Sequence, residues 1–564
     1  QPRRAERVVG AQLSGDLQPG GQPVEIGRVG QHVAHHLHEA LLGGHIGHPF
    51  GVFVGKGQEQ GLLVFPESRG ELRPELIALG HFFKTDSDTE GLVHLYEQYG
   101  FDMLKRLRGM FGFSIFDKKK NILFIARDFF GIKPIYYRIE TDKKTGKEKI
   151  MSFGSEIKSI LEDASYKPKV NDTAVYNYLE FQYNPLEETM FKGIFRLPPG
   201  HYMVINLEDS TFKIEPYWHY SFNTKHTWQT SSEDFLVKKD ESGQLIQTKN
   251  EKELAEEVKK VVEDSVAHHL ISDVQVGSFL SGGVDSGIIV TTVQNLRKKH
   301  NQAPVDTFTI GFDHVSEHSE ARQVSDAIQS NHTEIKIDFD EYFKELPRIT
   351  WHFDEPVADP SAVALYFLAR EARKKVKVVL SGEGADELFG GYNIYREPFA
   401  TSLVSKLPSY IKNIFIKPFL SLPFNFYGKN YIRRALTPLE QRYIGNAHIF
   451  KKQDQDKLWK QSVVTSSSKK TNTDSESGSS ILLKPSSLMD ISRYFETVKD
   501  ESDSRKMQYI DINFWLPGDI LAKADKMTMA HSLELRVPFL DIEVAKISAR
   551  IPEIFKYKNG TTKY

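Results

Sequence analysis

A predicted strand over residues 274–280 runs directly into the string Ser281-Gly282-Gly283-Val284-Asp285-Ser286, after which a helical pattern begins. Two glycines let the backbone curl tightly, so that several N–H groups and the helix N-terminus point at one spot suited to phosphate or pyrophosphate. The hydroxyls of Ser281 and Ser286 add donors, and Asp285 fits beside a phosphate when Mg²⁺ lies between them. The alternative is a plain β–α turn with Ser286 as the N-cap. The complete six-residue string after a strand favours the anion site.

A second glycine-rich loop follows the predicted strand 376–380, and it begins Ser381-Gly382-Glu383-Gly384-Ala385-Asp386-Glu387. It combines a flexible backbone with three carboxylates, which suits a metal–phosphate complex. The alternative is an exposed acidic turn that caps a helix. Because two such loops follow strands of one predicted sheet, we interpret them together as a phosphate and metal site.

Two further segments carry polar groups whose roles the sequence leaves open. In Asp354-Glu355-Pro356-Val357-Ala358-Asp359-Pro360-Ser361, Ser361 is equally suited to capping the following helix and to binding a substrate. The segment Ala522-Lys523-Ala524-Asp525-Lys526 offers lysines that could neutralise charge developing on phosphate in a transition state. Taken alone, these lysines are better explained as solvated surface residues.

Alternating strands and helices position these loops. Strands are predicted at 274–280, 306–312, 334–339 and 376–380, with helices at 286–299, 318–329, 341–350 and 361–374. This alternation is typical of a doubly wound parallel sheet, whose ligands bind at the carboxyl ends of the strands. Upstream, alternating apolar runs between residues 110 and 155 predict antiparallel strands, flanked by helices at 89–99 and 155–161. We therefore expect a layered sheet-and-helix domain followed by a parallel α/β domain.

The composition excludes several classes of function. The 564 residues include 73 basic and 75 acidic side chains, a net charge of −2 that gives no electrostatic reason to bind nucleic acid. No apolar run is long enough to span a membrane, and no signal peptide is recognisable, so a cytoplasmic protein is predicted. With no cysteine, the chain has no disulfide, no thiolate metal site and no cysteine nucleophile.

Residues 1–69 differ in composition from the rest, being rich in glycine with Lys56 as their one lysine. We expect this segment to have a different origin, such as a shifted reading frame or a mis-joined gene model. Its histidines have metal-like spacings, but without acidic or cysteine partners a metal site is the weaker interpretation. These histidines are His32, His35, His36, His38, His45 and His48.

The four chemistry-bearing segments together resemble the glutamine-hydrolysing asparagine synthetase family, over residues 70–564. That resemblance implies an ATP-pyrophosphatase domain in which ATP adenylates the β-carboxylate of aspartate and ammonia displaces AMP. It implies that Glu383 is critical for forming the β-aspartyl-AMP intermediate and for deprotonating ammonia, that Lys526 stabilises phosphate charge, and that Asp285 and Asp386 approach Mg²⁺. The implied ATP and pyrophosphate contacts are Leu280, Ser281, Gly282, Gly283, Asp285, Ser286, Ile310, Ser381 and Gly382.

Residues 70–218 resemble the class II glutamine amidotransferase domain of that family. Matching strings include Lys84-Thr85-Asp86-Ser87-Asp88-Thr89-Glu90 and Arg108-Gly109-Met110-Phe111-Gly112-Phe113. Asp88 would bind the glutamine α-amino group, although the first turn of a helix also explains it. The family's nucleophile is an amino-terminal cysteine, which this chain lacks, and its Asn-Gly oxyanion pair falls on Leu63 and Val64. The end at Tyr564 also precedes the longer helical tail expected from the resemblance.

The predicted fold class is therefore a two-domain α/β and α+β protein. Its parts are an unmatched segment 1–69, an incomplete αββα (Ntn hydrolase-type) amidotransferase-like domain 70–218, a linker 219–250 and a C-terminally truncated ATP-pyrophosphatase domain 251–564 with helical additions. We expect asparagine synthesis from aspartate, ATP and ammonia with Mg²⁺, an inactive glutaminase half and, from the resemblance, a homodimer. Two alternatives stay open: a related synthetase acting on another carboxylate, and a catalytically silent fragment.

Overall fold

The structure is a computed structural model that describes part of the chain. The described residues are 50–54, 63–64, 72–222, 229–232, 235–239, 245–311, 318–405, 407–416, 420, 428–447, 449–450, 488–557 and 561–563. The histidine cluster of residues 32–48 lies outside them. One compact unit contains residues 48–160 and 168–564, and the features below belong to it.

Antiparallel sheets dominate the first part of the described chain. The five-stranded sheet has the order β1-β4-β5-β9-β10, the three-stranded sheet β7-β6-β8, and β2 pairs with β3. The strands are β1 (Phe50–Val54), β2 (Leu63–Val64), β3 (Gly109–Met110), β4 (Gly112–Asp117), β5 (Ile122–Arg127), β6 (Tyr136–Thr141), β7 (Glu148–Gly154), β8 (Ile194–Arg196), β9 (His201–Asn206) and β10 (Phe212–Pro216).

The larger sheet is buried on both faces because apolar residues occupy successive positions of its central strand. Phe124 points to one face and stacks on Tyr96 at 5.7 Å between ring centroids, whereas Ile125 points to the other face and packs with Ile150 of β7. The accompanying helices are α1 (Arg73–Ala78), α2 (Asp88–Tyr99), α3 (Ile157–Leu161) and α4 (Asp172–Phe181). The antiparallel strands and the helices at 89–99 and 155–161 are thus present as predicted, with small shifts at their ends.

The segment predicted to be a linker, residues 219–250, contains a three-stranded antiparallel sheet of its own. Its strands are β11 (Gln229–Ser232), β12 (Phe235–Lys239) and β13 (Leu245–Asn250), in that order. The helix α5 (Glu251–His269) starts directly after β13, where Asn250 and Glu253 cap it reciprocally.

A five-stranded parallel sheet lies in the second part, as the alternation of strands and helices predicted. Its order is β16-β15-β14-β17-β18, formed by β14 (Val276–Phe279), β15 (Asp306–Gly311), β16 (Asn331–Lys336), β17 (Val378–Leu380) and β18 (Glu534–Arg536). Numbered along the chain, this is the order 3-2-1-4-5, which reverses direction between β14 and β17. In doubly wound sheets the ligand crevice lies at the carboxyl ends of the strands at such a reversal.

Two predicted elements shift in the structure, and one strand was not predicted. The strand expected at 334–339 is Asn331–Lys336, because Asp338 accepts hydrogen bonds from the N–H groups of Asp340 and Glu341 and starts the next helix early. That helix spans Phe339–Phe353 instead of 341–350. β18 joins the sheet from more than 150 residues beyond β17, which local periodicity does not reveal.

The remaining described helices cover the parallel sheet and extend it. They are α6 (Val284–Lys299), α7 (His318–Ile328), α8 (Phe339–Phe353), α9 (Ser361–Ala372), α10 (Ala385–Phe389), α11 (Glu397–Ser405), α12 (Ser409–Ile411), α13 (Lys429–Leu436), α14 (Leu439–Arg442), α15 (Leu488–Thr497), α16 (Asp503–Ile510), α17 (Leu521–Met529), α18 (Ile542–Arg550) and α19 (Glu553–Lys556). Within the described ranges, no helix has the length and apolarity needed to cross a bilayer.

Candidate active site

The loop after β14 curls as its glycines suggested. Gly282 has φ +78°, and a Cβ there would lie 2.6 Å from the Cβ of Glu320, so only glycine fits. Ser286 is in the first turn of α6, whose N-cap is Gly283 and not Ser286. The hydroxyl of Ser286 accepts a hydrogen bond from the Ser281 N–H at 3.1 Å and lies 3.0 Å from the Ser281 hydroxyl. The two serines therefore close the loop on itself at the N-terminus of α6.

The loop after β17 lies directly against the loop after β14. Ser278 of β14 pairs with Leu380 of β17, so the two strands end at nearly the same level of the sheet. A Cβ on Gly382 would lie 2.9 Å from the Cβ of Asp285 and 3.0 Å from the Ser286 nitrogen. The absence of a side chain at Gly382 allows this approach and brings both predicted phosphate loops to one spot.

Asp285 and Asp386, the predicted Mg²⁺ ligands, converge on one cation of the chain itself. The ammonium of Lys563 lies 2.6 Å from Asp386 Oδ1 and also donates to Asp285 Oδ2. Burial raises the pKa of Asp285, Lys563 opposes this, and the charge of Asp386 adds to the increase. Two carboxylates that share one positive charge form a donor set that suits a hard divalent cation.

Several charged side chains, including those of Asp285 and Asp386, surround the carboxyl of Glu383. Loss of solvent raises the pKa of its carboxyl, Lys523 opposes this, and further carboxylates raise the pKa again. Those carboxylates are Asp386, Asp359 and Asp285. The net result is a pKa above that of an ordinary glutamate, so Glu383 holds a proton more readily than a solvated carboxyl.

Lys523 is held beside Glu383 by two groups from the segment before α9. Its ammonium donates to Asp359 Oδ2 at 2.6 Å and to the Ser361 hydroxyl at 2.8 Å. Burial alone would lower the pKa of Lys523, but the neighbouring carboxylates, led by Glu383, outweigh it and raise the pKa. Sequence reasoning did not assign a role to Lys523, although its spacing from Lys526 on one helix was visible.

The structure does not bring Lys526 to this cluster, which differs from the sequence-based expectation. Its ammonium donates to Asp354 Oδ2 at 2.9 Å and lies 5.2 Å from the centre of the Tyr136 ring. Asp354 also accepts from the backbone N–H of Ile157 at 3.0 Å. Lys526 lines a cavity between this region and the antiparallel sheets, together with Arg127, Val357 and others.

The segment from Asp354 to Ser361 therefore divides between two tasks. Glu355 accepts from the Met190 N–H at 2.6 Å and forms an ion pair with Arg196, so its first residues hold the amidotransferase-like region. Its last residues hold Lys523. Ser361 is the first residue of α9 and not its N-cap, which is Pro360, so the capping alternative does not hold.

The other predicted contacts occupy the expected elements. Leu280 is buried at the end of β14 and donates its N–H to Phe308 O at 2.9 Å, while Ile310 is half-buried in β15. Ser381 donates its N–H to Arg536 O of β18 at 2.9 Å. Asp88, the predicted glutamine ligand, is half-buried in the first turn of α2, whose N-cap is Ser87.

Comparison with known proteins decides the family of the chain. The asparagine synthase family model matches residues 257–564, and the glutamine amidotransferase domain model matches residues 69–218. Asparagine synthetase [glutamine-hydrolyzing] 1 of Bacillus subtilis is 41% identical over 499 residues, which are 88% of this chain and 70% of that protein. The chain belongs to the asparagine synthetase family. A putative asparagine synthetase of Mycobacterium tuberculosis strain H37Rv is 38% identical over 507 residues, covering 88% of this chain and 69% of that protein.

Membership of the asparagine synthetase family makes the chain a relative of ATP-using ligases, as the resemblance implied. Buried and partly buried ion pairs join the two regions that the family models match. Arg108 donates to Asp541 Oδ2 at 2.8 Å, and Lys133 donates to Asp525 Oδ1 at 3.0 Å. Because removing one partner of a buried pair leaves an unpaired charge, these contacts hold the two regions of this synthetase together.

Proposed function

We propose that this chain uses ATP to activate the side-chain carboxylate of aspartate and transfers ammonia to it, giving asparagine. The observation that carries the proposal is the convergence of Asp285, Asp386, Glu383 and Lys523 where the loops after β14 and β17 meet. A carboxylate does not accept an amine directly, so it must first be given a leaving group. Adenylation by ATP, with release of pyrophosphate, supplies one in the form of β-aspartyl-AMP.

Residues of these loops have separate roles in the proposed chemistry. The segment from Ser281 to Ser286 binds the pyrophosphate, and Leu280, Ile310, Ser381 and Gly382 surround the nucleoside. Asp285 and Asp386 hold Mg²⁺, which screens the charge of the phosphates when bound. Glu383 supports formation of the intermediate and takes a proton from the attacking ammonia, a role that a raised pKa favours because a general base works best near the ambient pH.

The domain organisation that we propose follows the sequence-based boundaries. Residues 70–218 form an amidotransferase-like domain of the Ntn hydrolase type, 219–250 connect it, and 251–564 form an ATP-pyrophosphatase domain. Asp88 is the proposed glutamine ligand. Glutamine is the nitrogen donor of the family, and we propose that this chain uses only ammonia. The substrates are thus small molecules, and a homodimer stays a prediction.

The proposed function is tested by ATP-dependent pyrophosphate release from the purified chain with Mg²⁺ and ammonium. We expect release with aspartate and much weaker release with glutamate and with amino-acid carboxylates of other lengths. Release with another acid, but not with aspartate, would assign the chain to the related synthetases. No release and no ATP–pyrophosphate exchange with any acid would show a silent protein.

We propose that Lys523, and not Lys526, neutralises phosphate charge. Lys523 pairs with Asp359, and its charge acts on Glu383. Lys523→Met should lower kcat for ammonia-dependent synthesis by about 10²- to 10³-fold, the usual effect of removing one preorganised donor. Lys526→Met is the matched control, three residues along the same helix. We expect it to act mainly through stability, measured by urea unfolding, since it breaks a buried pair with Asp354. Equal losses of kcat at both positions, with unchanged unfolding, would contradict this assignment.

A further inference from the structure

Three metal-ligand atoms converge on the second half of α2, away from the loops described above. His94 and Glu97 lie three residues apart on this helix and therefore on one face, and His81 approaches from the chain before it. His81 Nδ1 lies 3.2 Å from His94 Nδ1 and 3.5 Å from Glu97 Oε2, and His94 Nδ1 lies 2.9 Å from the same oxygen. The three atoms form a nearly equilateral triangle.

The size of this triangle matches one face of a tetrahedral zinc site. Zinc binds imidazole nitrogen and carboxylate oxygen at about 2.0–2.1 Å, so two ligands of a tetrahedral ion lie roughly 3.3 Å apart. The three observed separations lie on both sides of that value. Each separation differs from that value by no more than a few tenths of an ångström.

The outer contacts of the histidines favour ligation through Nδ1. His81 Nε2 lies 3.1 Å from Gln98 Oε1, which can only accept, so Nε2 carries the proton and Nδ1 of the neutral ring presents a lone pair. His94 Nε2 lies 3.9 Å from Glu90 Oε1. At that distance Glu90 does not accept a hydrogen bond from this nitrogen, so His81 is the histidine that shows the arrangement usual for metal ligands, in which an acceptor fixes the tautomer and makes the imidazole more basic.

Burial and charge are also those of a metal site. The side chain of His94 is 3% exposed, whereas those of His81 and Glu97 are 14% and 19% exposed. One side of the triangle is thus open enough for an ion to enter and keep a water as its fourth ligand. The Phe83 and His94 rings pack edge to face at 4.5 Å between centroids, which adds an apolar neighbour to the histidine.

We propose that His81, His94 and Glu97 bind one divalent transition-metal ion, with Zn²⁺ as the ion that their two nitrogens and one oxygen suit best. The site is structural: it ties the chain between α1 and α2 to the face of α2. That connection leads into Asp88, so the ion also steadies the start of the helix that carries the proposed glutamine ligand. The competing explanation is a single proton on His94 Nδ1, shared with His81 and Glu97.

The test uses the full chain, with the six histidines of residues 32–48 replaced by glutamine so that they do not bind added zinc. The parent is stripped with a chelator and titrated with ZnCl₂ against a chromophoric competitor. We expect one equivalent bound and a rise in Tm, and Co²⁺ should give the visible absorption of a tetrahedral complex. His81→Gln, at a partly exposed position, should abolish the bound equivalent, the Tm rise and the absorption.

The matched control is His300→Gln, at an exposed position beyond the end of α6. It should keep the bound equivalent and the Tm rise. Failure of the parent to bind zinc would overturn the site, as would zinc binding that survives both His81→Gln and Glu97→Gln. Neither result depends on asparagine synthesis, so the outcome is separate from that of the proposed function.

Discussion

Glu383→Gln is expected to abolish ammonia-dependent asparagine synthesis while ATP binding persists. The substitution keeps the size of the side chain and removes its ability to take a proton, and loss of a positioned general base costs about 10²- to 10⁴-fold in rate. ATP binding should persist because the loop from Ser281 to Ser286 is untouched. The measurements are asparagine formed per minute with saturating ammonium, and ATP affinity by equilibrium binding.

Stability gives this variant a built-in check on its folding. A carboxyl whose folded-state pKa is raised destabilises the folded state as the pH rises from its unfolded pKa through its folded pKa, and the penalty is complete above the latter. Glutamine removes that penalty, so the Tm of Glu383→Gln at neutral pH should equal or exceed that of the parent. For the same reason, the acidic limb of the parent's rate profile should lie above the range of an ordinary glutamate.

Glu387→Gln is the matched control, since it alters a buried carboxyl of the same loop. Burial raises the pKa of Glu387 to about 8, and Tyr392 donates to it at 2.7 Å. An amide oxygen still accepts that hydrogen bond, so turnover should stay within a few-fold of the parent. Undiminished synthesis by Glu383→Gln would remove Glu383 from the mechanism.

A polypeptide of these 564 residues should not be able to use glutamine in place of ammonia as its nitrogen donor. Class II amidotransferases attack glutamine with a cysteine thiolate, and none of the 564 residues is cysteine. The positions predicted for the oxyanion pair hold Leu63 and Val64, which lie in β2 and pair with Met110 and Gly109. The 564 residues therefore contain no cysteine nucleophile, and neither predicted oxyanion position carries a side-chain amide donor.

The measurement is glutamate released from glutamine, alongside asparagine formed with glutamine or with ammonium chloride. We expect asparagine with ammonium and no glutamate above the rate of spontaneous hydrolysis. The Bacillus subtilis relative, assayed in parallel, is the positive control for the glutamate readout. Glutamate release by this chain that rises in proportion to enzyme concentration would refute the prediction.

Much of the synthetase region could be predicted because its signals are local. The alternation of strands and helices between residues 274 and 380 predicted the parallel sheet, and Gly282 and Gly283 predicted the tight turn after β14. The shift of β16 shows the limit of such signals. Asp338 caps α8 and ends the extended chain early, although the alternation of apolar and charged residues over 335–339 by itself suits a strand.

The roles of Lys523 and Lys526 could not be separated from the sequence. Both lie on α17 and both fit a phosphate-neutralising lysine. Their partners, Asp359 and Asp354, are more than 160 residues away, and the rotation of α17 against that segment decides which lysine pairs with Asp359, whose charge also acts on Glu383. Similarly, nothing local indicated that Lys563 would lie between Asp285 and Asp386.

By itself, the sequence determined the family, the two glycine-rich loops and the absence of a thiol, because these depend on residue identity and short spacings. Tertiary structure alone decided which charges meet. It placed Lys523 next to Asp359 and Ser361, and Lys526 at the cavity lined by Arg127 and Val357. It also joined β18 to the parallel sheet and brought His81 close to His94 and Glu97. Such meetings depend on how helices rotate and pack over long separations along the chain, and no local pattern encodes that.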